Sequence, residues 1–141
     1  MPNSPQSVVP MLSYEDGLCA LDWLCNAFGF KEKTRMVGPD GRLAHGEVLA
    51  GDGLIMLASP TIDYQSPKHH GEICEQARRW LSVPWIIDGV LVYVDDLDSH
   101  FERARAAGAT ILSNIEGGPP GRRYRAEDLE GHRWFFFQRG G

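Results

Sequence analysis

The chain has no apolar run near the roughly 18–20 residues that a membrane-spanning helix requires. Residues 1–10 have neither the basic start nor the apolar core of a signal peptide. The expectation is a cytoplasmic protein with no membrane partner. Positive charge is also in deficit. Lys and Arg number 14 against 19 Asp and Glu, a net charge of −5, which repels a phosphate backbone and argues against nucleic acid. Arg122, Arg123 and Arg125 are a local exception, readable either as a solvated face or as an anion pocket. Cysteine is scarce: Cys19, Cys25 and Cys74 cannot all pair, and no Cys-x-x-Cys suggests zinc or redox chemistry, so reduced, packed thiols are expected. What is present is ordinary, with 141 residues, 43% hydrophobic and 23% charged, the size and composition of one globular domain.

An internal repeat organises the chain. Asp16, Gly29, Gly38-Pro39-Asp40-Gly41-Arg42 and Gly51-Asp52-Gly53 reappear in the same order as Asp96, Gly108, Gly118-Pro119-Pro120-Gly121-Arg122 and Gly131-His132-Arg133. The separations are 80, 79, 80 and 80 residues (96−16, 108−29, 118−38, 131−51), too constant for chance.

Each copy opens on a strand-like run, Val8 to Leu12 and Val90 to Val94. A helix follows, carried by Leu18, Leu21, Leu24, Cys25 and Phe28 in the first copy and by Leu97, Phe101 and Ala104 in the second. Asp96 is placed to cap the second helix, and the carboxylates of Asp95, Asp96 and Asp98 suit a helix start. Gly29 and Gly108 can take the left-handed conformation that ends a helix. Strands are expected over Lys31–Val37, Ala44–Ala50 and Leu54–Ala58, then over Thr110–Glu116, Arg123–Glu127 and Arg133–Gln138. Each half thus reads β-α-β-β-β. The halves span 6–59 and 87–139, within one domain overall. Residues 60–86 form a connecting segment over the cavity, with one short helix through Ile73, Ala77 and Trp80-Leu81, bounded by Pro67 and Pro84.

A tandem βαβββ repeat of this length resembles the vicinal oxygen chelate superfamily of glyoxalases, bleomycin resistance proteins and dioxygenases. The match is strongest over Gly89–Asp96, Ala106–Ala109 and Tyr124–Trp134. The last stretch is similar to the Asp-Pro-x-Gly-His-x-Trp turn of the PhnB-like branch, with Leu129 in place of the proline. The resemblance implies an α+β fold in which the two modules form a half-open mixed β-barrel around a cavity, and it implies a homodimer. Relatives that use a metal place ligands on the first and last strands of each module. Here those positions fall on Val9, Met56, Gly89 and Phe135, and a one-residue slip adds only Asp88 as a donor. Neither metal nor cofactor is therefore expected, because the residues lack the imidazole, carboxylate or thiolate lone pairs that zinc or iron requires.

Strand parity selects the residues that would face such a cavity. If Ala44, Gly46, Val48 and Ala50 turn toward the helix, then His45, Glu47 and Leu49 turn away. If Tyr124 and Ala126 turn toward it, then Arg123, Arg125 and Glu127 do not. Val9, Met11, Ser13, Leu54, Met56, Leu91, Tyr93, Phe135 and Phe137 join that face. Met56, Tyr93, Phe135 and Phe137 are candidate ligand contacts, with plain core packing the leading alternative for Met56, Phe135 and Phe137. His45 and Glu47, two residues apart, are a candidate catalytic acid–base pair, or a structural one. Arg123 and Arg125 could fork onto a carboxylate. His69, beside His70 in what reads as an extended polar loop, and the broad faces of Trp80 and Trp85 could reach a small-molecule ligand from the connecting segment. His100 is expected to point outward from its helix. The leading expectation is a metal-independent binding protein that sequesters a drug or metabolite, cationic or aromatic. The alternatives are a glyoxalase-like lyase or isomerase using His45 and Glu47, and an accessory module with a vestigial cavity.

Overall fold

A computed structural model describes residues 6–85, 87–118 and 121–140. Its elements run β1 (Met11–Ser13), α1 (Gly17–Phe28), β2 (Lys31–Val37), β3 (Leu43–Ala50), β4 (Gly53–Ala58), α2 (Pro67–Ile73), α3 (Glu75–Leu81), β5 (Gly89–Tyr93), α4 (Leu97–Ala106), β6 (Thr110–Gly118), β7 (Gly121–Glu127) and β8 (Arg133–Arg139). The chain divides into two compact units, Met1–Tyr64 and Gln65–Gly141. Each holds an open four-stranded mixed sheet, ordered β1-β4-β3-β2 and β5-β8-β7-β6, and the fold is α+β as expected.

The repeat is physical. Asp16 and Asp96 cap their helices alike, each Oδ1 accepting the amide three residues on at 3.1 Å. The first helical amide is held in both units by a side chain from just beyond β4 or near the end of β8: Gly17 donates to Ser59 Oγ and Leu97 to Gln138 Oε1, each at 2.8 Å. Gly29 and Gly108 have φ of 74° and 100°, the left-handed conformation expected at those helix ends. Pro119 and Pro120 of the repeat lie outside the described residues.

Each core lies between one helix and one sheet face. Ala20, Leu21, Leu24, Ala27 and Phe28 of α1 are buried with Val48, Ile55 and Leu57. In the second unit, Leu97 and Ala104 are buried with Val92, Tyr124, Ala126, Trp134 and Phe136. His100 does not point outward as expected. It is half-buried, with Nδ1 2.6 Å from the Tyr124 hydroxyl and its ring 4.1 Å from that of Phe136. Burial pushes the Tyr124 hydroxyl's pKa up, so the phenol stays protonated.

Three expectations are corrected. The first strand begins at Met11, not Val8, because Pro10 has no amide to give the ladder; its carbonyl instead accepts Met56 N at 3.0 Å. Ala44 is exposed, since the pairing of β2 with β3 jumps from Met36↔His45 to Val37↔Leu43 and leaves Ala44 out as a bulge. The connecting segment holds two helices broken at Cys74, whose φ of −129° and ψ of 114° are extended. Ser66 and Pro67 start the first of them, so His69 and His70 are helical and not in an extended loop. Of the stripe expected there, Ala77 is buried while Ile73 and Trp80 are exposed.

None of the three cysteines is in a disulfide; Cys25 and Cys74 are half-buried, but Cys19 is exposed on the outer side of α1 and not packed as expected. Burial, and after it the carboxylates of Glu32 and Asp22, push the Cys25 thiol's pKa up. Mass-spectrometric alkylation with iodoacetamide at pH 8 should therefore label Cys25 severalfold more slowly than Cys19. Among the described residues no helix is long and apolar enough to cross a membrane.

Candidate functional site

In each unit the sheet face opposite the helix is the one that parity assigned to function. In the first unit Glu47 stands between Thr34 of β2 and Met56 of β4, with Met11 beyond on β1. The expected His45–Glu47 pair forms: His45 Nε2 lies 2.9 Å from Glu47 Oε2. The other carboxylate oxygen accepts Thr34 Oγ1 at 3.1 Å, and Lys33 Nζ is 3.8 Å away. Chiefly the His45 contact, then Thr34 and Lys33, outweigh partial burial and hold the Glu47 carboxyl below the usual carboxylate range.

The sign of the pH effect follows. A carboxylate with a depressed folded pKa contributes stability above its unfolded value of about 4.3 and loses it as pH falls through the lower folded value. The stability gap between the native protein and Glu47→Gln, read from urea midpoints, should be widest near neutrality. It should close progressively as pH drops below about 4.

The second unit's face is built in three cross-strand rows. The first is Gly89–Arg133–Glu127–Thr110, the second Leu91–Phe135–Arg125–Ser113 and the third Tyr93–Phe137–Arg123–Glu116. The first row is closed. Arg133, fully buried, donates Nε to Glu127 Oε2 at 2.8 Å, Nη1 to the Val83 carbonyl at 3.0 Å and Nη2 to the Leu81 carbonyl at 2.7 Å. The end of α3 and the segment after it are thus fastened across one end of this face. Nearby, Lys68 N donates to the Glu130 carbonyl at 3.0 Å, against Gly131, whose φ of 92° and close approach to Lys68 suit glycine alone.

The second and third rows stay open. Leu91 is 49% and Tyr93 50% exposed, large apolar groups on the sheet face opposite α4. Phe137 meets Tyr93 edge to face at 5.7 Å. The Arg125 guanidinium lies 4.7 Å over the Phe135 ring, and Arg139 lies 3.6 Å over Tyr93. Glu116 Oε1 sits 3.4 Å from Arg125 Nη1 and 3.8 Å from Arg123 Nε, one carboxylate oxygen beside two cations. Arg122, the third arginine of the cluster, points the other way and is bidentate to Asp98 of α4 at 2.8 and 2.9 Å.

The structure therefore brings Tyr93, Arg123, Arg125, Phe135 and Phe137 onto one face, and His45, Glu47 and Met56 onto another. His69, Trp80 and Trp85 sit on α2, α3 and the chain after them, outside the strand rows; Trp80 is 46% and Trp85 66% exposed. Arg133 and Arg139 were missed by sequence reading, although both share the parity of Phe135 and Phe137. Among the described residues no three His, Cys, Asp or Glu side chains gather as a metal-holding group. Val9, Met56, Gly89 and Phe135, the positions that the sequence resemblance assigns to metal ligands, supply no hard donor, so these residues do not fit a catalytic divalent metal.

Both units thus repeat one βαβββ plan, a four-stranded mixed sheet with a parallel outer pair. The chain belongs to the Glyoxalase/Bleomycin resistance protein/Dioxygenase superfamily, whose family model matches residues 11–136. It is similar to TioX from Micromonospora sp. ML1, at 32% identity over 94% of this chain and 95% of that one, with a TM-score of 0.68. A Mycobacterium bovis protein described as uncharacterized is 28% identical over 94% of this chain and 82% of its own length. TnmS3, an antibiotic binding protein from Streptomyces sp. CB03234, shares the fold at 20% identity and a TM-score of 0.60, covering 97% of this chain and 99% of that one.

Proposed function

We propose that this protein binds a small, partly aromatic organic molecule without a protein-held metal, and that it serves to sequester a drug or metabolite. The observation that carries the reading is the open pair of rows in the second unit. There Leu91, Tyr93, Phe135 and Phe137 present apolar and aromatic surface beside arginines on the face opposite α4, Leu91 and Tyr93 about half exposed. A greasy surface with sparse polar groups is what ligand sites use, burial supplying affinity and the polar groups orientation. The description of TnmS3 as an antibiotic binding protein supports the same class of ligand. The Asp128–Trp134 turn favours a place in the PhnB-like branch, and the reading takes the protein as a cytoplasmic homodimer.

A thermal-shift screen of the full chain against planar aromatic antibiotics and metabolites, in excess EDTA, is the test. A specific ligand at about 100 times its Kd should add about 2.7 kcal/mol of stability. If no compound raises Tm, or if one does so only when divalent metal is restored, the reading fails. One observation favours a second reading, a glyoxalase-like lyase or isomerase: the 2.9 Å His45–Glu47 contact has acid–base geometry. Turnover of a bound ligand that is abolished by His45→Ala, with binding retained, would decide for it.

A further inference from the structure

We infer that the open rows of the second unit select an aromatic ring that carries an anionic oxygen, with Arg125 as the residue that determines this preference. The inference rests on the binding reading above and deepens it.

The first argument is a donor without an acceptor. Arg125 Nε is buried and has no hydrogen-bond partner. Its Nη1 reaches only the far side of the range, 3.4 Å to Glu116. Buried N–H groups are almost always paired, and a guanidinium satisfied on one edge alone retains unspent capacity for a forked acceptor. The position is also firmly built. The Arg125 amide donates to Ser113 Oγ at 3.1 Å, and the side chain, 19% exposed, lies on the Phe135 ring. A preoriented guanidinium gives up little freedom on binding.

The second argument is the local charge count. On the two open rows and the strand end beside them, Arg123, Arg125 and Arg139 face one carboxylate, Glu116. Arg133 and Glu127 consume one another on the closed row. The face is therefore positive, although the chain as a whole carries −5. The acidic total had favoured a cationic guest; the face itself calls for the opposite sign, because a nearby charge outweighs a distant, solvent-screened sum. The third argument is shape. Phe135, Phe137, Tyr93 and Leu91 offer flat apolar area directly beside the guanidinium, the surroundings suited to an aryl ring with its anionic group at the edge.

The experiment is calorimetric titration of the full chain at low salt with three probes of one shape: 2-naphthoate, 2-naphthamide and 2-naphthylmethylammonium. The carboxylate should bind at least about tenfold more tightly than either other probe. Arg125→Gln should lower 2-naphthoate affinity by at least about tenfold while leaving 2-naphthamide within about twofold. Arg125→Lys should restore only part of the loss, because an ammonium can neither fork nor lie flat on Phe135. Equal or tighter binding of the amide or the ammonium overturns the inference. So does an equal loss of both carboxylate and amide in Arg125→Gln, which would make Arg125 a packing residue. If no probe binds but the thermal-shift screen finds another ligand, the inference falls and the binding reading stands; if both are empty, both fall. If Tyr93→Glu splits a dimer in sedimentation while no probe binds, the face is an interface between copies and the inference is overturned.

Discussion

Arg133→Met should cost the second unit about 3–5 kcal/mol, the usual penalty for breaking a buried ion pair from one side. Methionine fills much of the volume, so the loss is not mainly a cavity. It comes from Glu127, left with its carboxylate 16% exposed and no partner, and from the Leu81 and Val83 carbonyls, which lose charge-assisted donors. The urea midpoint should fall, and amide exchange across 67–83 should accelerate more than exchange in β7 or β8, because Arg133 is what fastens that segment. A double variant, Arg133→Met with Glu127→Leu, should regain a large part of the stability, since an apolar pair leaves no charge stranded. Exchange in 67–83 should remain fast in the double variant, as nothing then holds the two carbonyls. If segment exchange is unchanged in the single variant, Arg133 does not fasten the segment.

Asp128→Ala should be the second costly change, about 2–4 kcal/mol for several donors stripped of one buried acceptor. Asp128 is 3% exposed. Its Oδ1 accepts the amides of Glu130 and His132, each at 3.0 Å, and its Oδ2 accepts Trp134 Nε1 at 3.0 Å. One carboxylate therefore shapes the turn after β7 and satisfies the largest fully buried side chain. Asp128→Asn can keep an acceptor for the backbone amides or for the indole, but not for both, because its NH2 group only donates. Its loss should fall between that of alanine and zero, and the near-ultraviolet signal of Trp134 should separate the two arrangements. Equal stability of Asp128→Ala and the native chain would sink this account of the turn.

The turn explains why the Asp128–Trp134 stretch carried so much of the resemblance. Residues that bond within seven positions leave a spacing that is visible in the chain itself. The same holds for Asp16 and Asp96 at helix starts and for Gly29 and Gly108 at helix ends, each acting on amides or angles a few residues away. Parity placed His45 with Glu47, and Arg123 and Arg125 with Phe135 and Phe137, because alternation along a strand is also a local property. It failed at Ala44, where a bulge shaped by the partner strand interrupts the alternation. The connecting segment was the least legible part. Its helices are seven residues each, too short to form on propensity alone, and they depend on packing for their existence.

What the linear order of residues determined by itself was the repeat, its caps and turns, and which side chains share a face, since every one of those depends on neighbours within one turn or one strand. What only the tertiary structure decided was the fate of each arginine. Arg122 is spent on Asp98 of α4, 24 positions away, and Arg133 on carbonyls 50 and 52 positions away. Arg125 keeps an unpaired donor. Five guanidiniums on one strand pair look alike in sequence; charge pairing is a matter of distance in space, and that is set by register, bulges and docking between segments far apart in the chain.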